Sequence, residues 1–419
     1  MCGATPQTAS TTCGTVGILG AGTMGTGIAQ VAAIAGWDVR LIDQEVEAAE
    51  AGQQLVVKRL DRLVEKGRID QGDRDAGVAR LNPSNNIKHL ADCDMVIEAI
   101  VEDLSVKVET LQPIAELLSP DAIIATNTSS LSVTDIAREL TGSERVVGMH
   151  FFNPAALMPL VEIIRGQETK AAVADQAASI AMSWGKTTVR ASDTPGFIVN
   201  RVARPYYLEA WRLYEDGYAT VEAIDEVMRD CAKFRMGPFE LTDLIGQDVN
   251  TATTRSVWER LDCPARLAPS AAQEGLVAKG NLGRKTKHGA YDYTVDPPTP
   301  AIERTAVELE IDDSLAEALS SFSSAEPIQH RYICARIVAA IINEAAWAAS
   351  QDVATTNDID IALRLGTNYP KGPFEWAAEV GVECIENLLK SLNAQSEDGR
   401  FEPPEQLVSL INTHSGESH

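Results

Sequence analysis

Between residue 15 and about residue 191, short β-branched runs alternate with longer stretches whose apolar positions recur at helical spacing. The runs predict strands at Thr15–Leu19, Asp38–Ile42, 95–100, 122–125, 145–149, 161–164 and 187–189. Residues 46–67 read as one long charged helix. Strands that alternate with helices predict a parallel, doubly wound α/β sheet. After Asp193-Thr194-Pro195-Gly196 the strand signals stop, and residues 197–293 read as helices with stops at Gly237-Pro238 and Cys263-Pro264. Residues 299–326 carry seven acids against one arginine and read as a partly helical linker.

Helical periodicity then resumes, and it repeats. Gly237-Pro238-Phe239-Glu240 returns as Gly372-Pro373-Phe374-Glu375, 135 positions later. Amphipathic helices are expected at 201–215 and 331–346, ahead of the two copies. The flanks Ala223-Ile224-Asp225 and Asn357-Asp358-Ile359-Asp360 match loosely, one residue out. Duplication explains this better than chance. The expected organisation is an α/β domain at 13–192, a helical domain at 193–295, an acidic linker at 296–326 and a second helical copy at 327–412.

The first strand runs into Gly20-Ala21-Gly22-Thr23-Met24-Gly25, and a helix follows. This is GxGxxG between strand and helix. Gly20 permits the tight turn, Gly22 lets the backbone approach a pyrophosphate at the helix N-terminus, and Gly25 lets helix and strand pack closely. Asp43 ends the second strand, 18 residues after Gly25, with Gln44 beside it. A carboxylate there binds both ribose hydroxyls of NAD and repels the 2′-phosphate of NADP. The spacing therefore predicts a Rossmann domain, although FAD uses the same loop.

Of six histidines, His150 alone ends an apolar strand, in Val146-Val147-Gly148-Met149-His150-Phe151-Phe152-Asn153-Pro154. Ligands of open α/β sheets bind beyond the carboxyl ends of the strands. Twelve residues later, Glu162 stands alone in the apolar run Leu160-Val161-Glu162-Ile163-Ile164. A carboxylate in such a strand needs a partner. His150 is the candidate, and the pair would orient the ring and raise its basicity; the competing reading is a purely structural pair. Thr126-Asn127-Thr128-Ser129-Ser130 follows another strand's carboxyl end, and one of its serines is expected to cap a helix starting at Val133.

Composition narrows the partners. Against 36 Lys and Arg stand 60 Asp and Glu, a net charge of −24. Nucleic acid and anionic membrane surfaces are therefore disfavoured. A small anionic ligand needs only a local patch, and Lys58, Arg59, Arg62, Lys66 and Arg68 supply one, with Arg284, Lys285 and Lys287 as a second. The seven cysteines are scattered without CxxC, which argues against a disulfide framework or a metal site. The polar N-terminus lacks secretory features, and no uncharged apolar run approaches roughly 18–20 residues. The expectation is a soluble, cytoplasmic protein.

Taken together, these segments resemble the L-3-hydroxyacyl-CoA dehydrogenase family over about residues 15–293. The resemblance rests on Gly20–Gly27, Val96-Ile97-Glu98-Ala99-Ile100-Val101-Glu102, Asn127-Thr128-Ser129-Ser130-Leu131, His150-Phe151-Phe152-Asn153-Pro154, Asp193-Thr194-Pro195-Gly196-Phe197-Ile198-Val199-Asn200-Arg201, Met236-Gly237-Pro238-Phe239-Glu240 and Gly283-Arg284-Lys285-Thr286. It implies a Rossmann domain followed by all-α domains like the C-terminal domain of 6-phosphogluconate dehydrogenase. It implies NAD as cofactor, bound by Gly20, Gly22, Thr23, Met24, Gly25, Asp43, Gln44, Glu102, Lys107 and Asn127. His150 would be the general base and Glu162 its partner, Ser129 and Asn200 would hydrogen-bond the reacting oxygen, Asn153 would help hold the site, and Lys66 would meet CoA.

The resemblance leaves the substrate open between 3-hydroxybutyryl-CoA and the dicarboxylic 3-hydroxyadipyl-CoA. The rivals are a gulonate-dehydrogenase or λ-crystallin-like hydroxy-acid dehydrogenase and a non-catalytic NAD-binding protein. Two features depart from the short members: Ala290 replaces a usual aromatic, and the chain continues past Tyr293 into the second helical copy. That copy is expected to pair with the first inside one chain, with further homo-oligomerisation left open.

Overall fold

The computed structural model describes residues 14–304 and 307–417. The polar N-terminus, with Cys2 and Cys13, lies outside them. The chain forms two units, one ending at Thr188 and the other starting at Val189.

The first unit is built on one sheet. Its strands are β1 (Thr15–Leu19), β2 (Asp38–Ile42), β3 (Leu81–Ser84), β4 (Met95–Glu98), β5 (Ile123–Thr126), β6 (Val146–Phe151), β7 (Leu160–Arg165) and β8 (Thr187–Ser192). The order is β3-β2-β1-β4-β5-β6-β7-β8, and the chain passes to the second unit within β8. β1 and β4 are apolar almost throughout because helices cover both faces of the sheet. The helix Thr23–Ile34 lays Ile28, Ala29, Ala32 and Ala33 into a core shared with Val39, Leu41 and Ile97.

The sheet is parallel as expected through β6 and departs from that only beyond it. β1 to β6 pair in parallel, but β6 and β7 run antiparallel. Only residues 152–159 join them, and a parallel crossover needs a dozen residues or more. β3 is a strand that the sequence reading missed: it is four residues long, lies at the sheet edge and contains Pro83, a residue confined to such edges. The long charged helix runs Val46–Glu65, with Lys66 at its C-cap.

In the second unit the duplication is visible atom by atom. Asp225, on the helix Val221–Asp230, accepts hydrogen bonds from the backbone N–H groups of Phe239 (2.8 Å) and Glu240 (3.0 Å). Asp360, on the helix Thr356–Thr367, accepts them from Phe374 (2.8 Å) and Glu375 (2.9 Å). Each aspartate thus caps the helix that opens with the repeated Gly-Pro-Phe-Glu. Gly237 and Gly372 allow the approach, since a Cβ on either would fall within 2.4 Å of its aspartate. Asp225 and Asp360 are themselves 135 positions apart, so the flanks are in register and the one-residue offset read from sequence is corrected. The third partner differs: the Tyr291 hydroxyl donates to Asp225 (2.8 Å), whereas His414 Nε2 lies 3.2 Å from Asp360. Burial pushes both carboxyls up to about 7.

The helix Ile328–Ser350 corrects a second expectation. Instead of one apolar face, it buries every residue from 332 to 346. By length and composition it could cross a membrane, but 83% of its apolar window is buried inside the unit. The helix Arg204–Glu215 packs against it, and it holds its two internal charges in ion pairs with the first copy: Arg336 with Glu209 at 2.8 Å and Glu344 with Arg201 at 2.6 Å. The expected acidic linker contains the helix Asp313–Phe322, which packs on Val382–Gln395.

Candidate active site

The glycine loop has the backbone that its sequence demands. Gly20 takes φ +94°, a conformation open mainly to glycine. A Cβ on Gly25 would meet the Gly20 carbonyl oxygen at 1.8 Å, whereas one on Gly22 would meet nothing within 4 Å. The space over Gly22 is thus open to a ligand. The helix beginning at Thr23 has no side-chain cap and no acid in its first turn, so its N-terminal amides are turned to that space. Asp43 Oδ2 accepts from Ala21 N (2.7 Å) and Oδ1 from Gln44 N (2.8 Å). These two bonds fix the carboxylate beside the loop and leave lone pairs for ribose hydroxyls. The residues present therefore fit a dinucleotide.

Beyond β4 lies a buried charge network. Glu98, the last residue of β4, accepts from Ile100 N (2.7 Å), Lys107 Nζ (2.6 Å) and Thr126 Oγ1 (2.7 Å). Ile100 N thus bonds Glu98 rather than a neighbouring strand, which is why β4 stops short of the expected residue 100. Lys107 is also 3.2 Å from Glu102 Oε2. Glu102 Oε1 accepts from Thr128 Oγ1 (2.6 Å), Ser129 N (3.0 Å), Ser130 N (3.1 Å) and Ser130 Oγ (2.9 Å). Burial alone would raise the Glu102 carboxyl. Lys107 and the donors of residues 128–130 outweigh it and hold the group below its ordinary range. Glu102 thus shapes the backbone that carries Ser129. The helix that follows is capped not by a serine of the 126–130 run, whose donors go to Glu102, but by Ser132, whose hydroxyl accepts from Asp135 N.

His150 lies on β6 directly opposite Glu162 on β7. Its Nδ1 is 2.5 Å from Glu162 Oε2, and both side chains are buried. The antiparallel register makes the pair, because opposed residues of neighbouring strands project to one face. Asn127 Oδ1 accepts from Phe151 N (2.9 Å), tying the end of β5 to the strand beside His150. Asn153 is the second residue of the loop after β6 and is joined to Pro154 by a cis bond. Lys186, its pKa lowered by burial, donates to the carbonyls of Ala155 (2.6 Å) and Met158 (2.8 Å) and holds that loop.

The structure places His150, Asn127, Ser129, Glu102, Lys107 and Asp43 at the end of the sheet where the parallel strands finish, and the antiparallel β7 brings Glu162 there. Asn200 lies in the second unit, on the helix Val199–Val202. Lys66 is exposed at the C-cap of its helix, within the first basic patch. In the second patch Lys285 pairs with Asp248 at 2.6 Å and Arg284 lies over the Tyr293 ring. Ala290 is buried and, with Tyr291, donates its N–H to Asp243, which fixes the loop in the absence of an aromatic there. Glu98, Thr126, Thr128 and Lys186 were not singled out from sequence. Glu98 gave the same signal as Glu162, a lone carboxylate in an apolar strand.

A loop shaped for a dinucleotide and a buried His–Glu pair in the same sheet define an NAD-dependent dehydrogenase. Residues 15–194 match the family model of the 3-hydroxyacyl-CoA dehydrogenase NAD-binding domain, and residues 196–293 and 332–417 match that of the C-terminal domain. The chain therefore belongs to the 3-hydroxyacyl-CoA dehydrogenase family. It is 39% identical to the 3-hydroxyadipyl-CoA dehydrogenase of Escherichia coli K12, over 93% of this chain and 95% of that protein. It is 40% identical to the 3-hydroxybutyryl-CoA dehydrogenase of Clostridioides difficile, over 66% of this chain and 98% of that protein. The crystal structure of an Escherichia coli K12 3-hydroxybutyryl-CoA dehydrogenase superposes with a TM-score of 0.85 at 38% identity, covering 97% of this chain and 99% of that one.

Proposed function

We propose that the enzyme interconverts L-3-hydroxyacyl-CoA and 3-ketoacyl-CoA, with His150 as the general base. The carrying observation is the 2.5 Å contact between His150 Nδ1 and the buried Glu162 carboxylate. With Nδ1 engaged, Nε2 takes the proton of the C3 hydroxyl during oxidation, and Glu162 stabilises the imidazolium that forms. Bound NAD supplies the acceptor for the C3 hydride. Ser129, on the backbone pinned by Glu102, donates a hydrogen bond to the C3 oxygen, and the resemblance assigns Asn200 and Asn153 to the same reacting group. In the reverse direction, His150 returns the proton to that oxygen.

The substrate is a short-chain or dicarboxylic acyl-CoA, a choice supported by the names of the relatives just described, and Lys66 meets the CoA anion. The domain boundaries at 193–295, 296–326 and 327–412, and a cytoplasmic setting, belong to the same reading. NADH consumption should be followed with acetoacetyl-CoA, 3-ketoadipyl-CoA and a longer 3-ketoacyl-CoA, and NADH formation with L-gulonate. Turnover of one or both of the first two is expected. Turnover of L-gulonate alone would replace this reading by the hydroxy-acid branch, and no turnover at all would favour a binding protein.

A further inference from the structure

The two helical copies meet through mirrored contacts. A shift of 135 positions takes Arg201 to Arg336, Glu209 to Glu344 and Asp216 to Gln351. Arg201 Nε lies 2.6 Å from Glu344 Oε1, and Arg336 Nε lies 2.8 Å from Glu209 Oε2. Arg201 Nη2 donates to Gln351 Oε1 (2.7 Å), and Arg336 Nη2 to Asp216 Oδ2 (3.3 Å). Each arginine thus bonds the partners that its counterpart's own copy supplies, as across a two-fold axis.

The geometry is symmetric but the chemistry is not. The residue before Arg201 is Asn200, and the residue before Arg336 is Ala335. Ala335 sits inside the 23-residue helix Ile328–Ser350, which needs no help to keep its course. Asn200 sits in the four-residue helix Val199–Val202, which only Ala203 separates from Arg204–Glu215. The second copy grips the residue beside it and the strand ahead of it. Glu344 and Gln351 grip the neighbouring Arg201. Upstream, Ser192 donates through N to Val353 O (2.8 Å) and through Oγ to Asp352 O (2.7 Å).

We propose that the second helical copy is a positioning device for Asn200, and that Glu344 is its central positioning residue, acting through Arg201. The proposal rests on the reading of Asn200 given above. The mirrored interface supplies its own control, because Glu209 makes the equivalent buried pair with Arg336, which Ala335 precedes instead of a reacting residue.

The test compares Glu344→Gln with Glu209→Gln in the full chain. Both should lower the denaturant midpoint by similar amounts. Only Glu344→Gln should lower kcat, by roughly 10- to 100-fold, the range for a slight misplacement of a reacting group, with KM for NADH unchanged. In an Asn200→Ala background, Glu344→Gln should cause no further loss of kcat, since it acts through a side chain already removed. Equal losses of kcat in Glu344→Gln and Glu209→Gln would overturn the proposal by making the effect one of general stability. A damaged Asn200→Ala beside an intact Glu344→Gln would overturn the proposal alone. An intact Asn200→Ala would overturn the role of Asn200 and the proposal with it. If either glutamate variant fails to fold, Gln351→Ala against Asp216→Ala makes the same comparison with weaker contacts.

Discussion

Replacing Glu162 by Gln isolates what its charge does, because the two side chains have nearly the same shape. When His150 takes a proton, a cation forms 2.5 Å, atom to atom, from a carboxylate that is fully buried. With each charge spread over its group, the centres stand about 4 Å apart. At an effective dielectric of about 20, that attraction is worth about 4 kcal/mol. Gln keeps an acceptor for the ring N–H and so retains about 1 kcal/mol of it. The remaining ~3 kcal/mol corresponds to a fall of about 10²-fold in kcat. If the amide instead turns its NH2 group to Nδ1, the ring carries its proton on Nε2 and the base is lost, so the fall is larger. The assay is NADH formation, read by absorbance, at saturating L-3-hydroxyacyl-CoA and NAD, alongside NADH affinity by fluorescence and a thermal melt. Affinity should be unchanged and the fold intact. A folded Glu162→Gln enzyme within about threefold of wild-type kcat would refute the electrostatic role and leave the pair as a structural contact.

Three further outcomes are expected. Asp43→Ser should raise KM for NAD by about 10-fold, the loss of a charged hydrogen bond, and narrow the preference over NADP; steady-state kinetics with both cofactors checks this, and equal use of the two by the wild type would contradict it. Lys66→Glu should raise KM for acyl-CoA about three- to tenfold and leave KM for NADH unaltered, and the effect should shrink from 50 mM to 500 mM salt as an exposed charge is screened; a KM that does not move would shift the CoA contact to Arg284–Thr286 and Lys287. Burial would raise the Glu209 carboxyl, but Arg212, Arg336 and Arg400 overcome it and hold the group at about 2. A depressed carboxylate stabilises the fold above its unfolded pKa of about 4.5, and that contribution fades as pH falls toward 2. The stability gap between wild type and Glu209→Gln should thus shrink by about 2 kcal/mol from pH 6 to pH 3, as read by urea denaturation; a constant gap would refute it.

Much of the first unit was legible because local pattern and tertiary context agree there. β1 and β2 begin and end where their apolar runs do, and the glycine loop needs Gly20 and Gly25 for steric reasons that sequence displays. His150 and Glu162 were each conspicuous as polar residues in apolar strands, and the structure places them in contact. What stayed hidden depended on partners distant in the chain. Glu102 looks like any acid after a strand until residues 128–130 fold onto it. Pro83 disguises β3, which an edge position tolerates. The antiparallel turn of β7 was readable in principle from the short connection after Phe151, but the alternation of strands and helices suggested parallel pairing throughout. The helix Ile328–Ser350 reads as amphipathic because Arg336, Asn343 and Glu344 interrupt it. The structure satisfies Arg336 and Glu344 from the first copy, and Asn343 through the carbonyls of Arg400 and Glu402.

The capping aspartates show what it means for the two copies to share one chain. In an assembly of identical chains, a substitution at a symmetric contact is made twice, and both halves must tolerate it at once. Here each half varies alone. One aspartate has a tyrosine hydroxyl as its third partner and the other an imidazole, while the two backbone hydrogen bonds to each match in length to within 0.1 Å. A covalent tie also means that dilution cannot part the halves. The second half is therefore at liberty to give up whatever the reaction does not ask of it, as at Ala335, and to keep only the surface by which it braces the first.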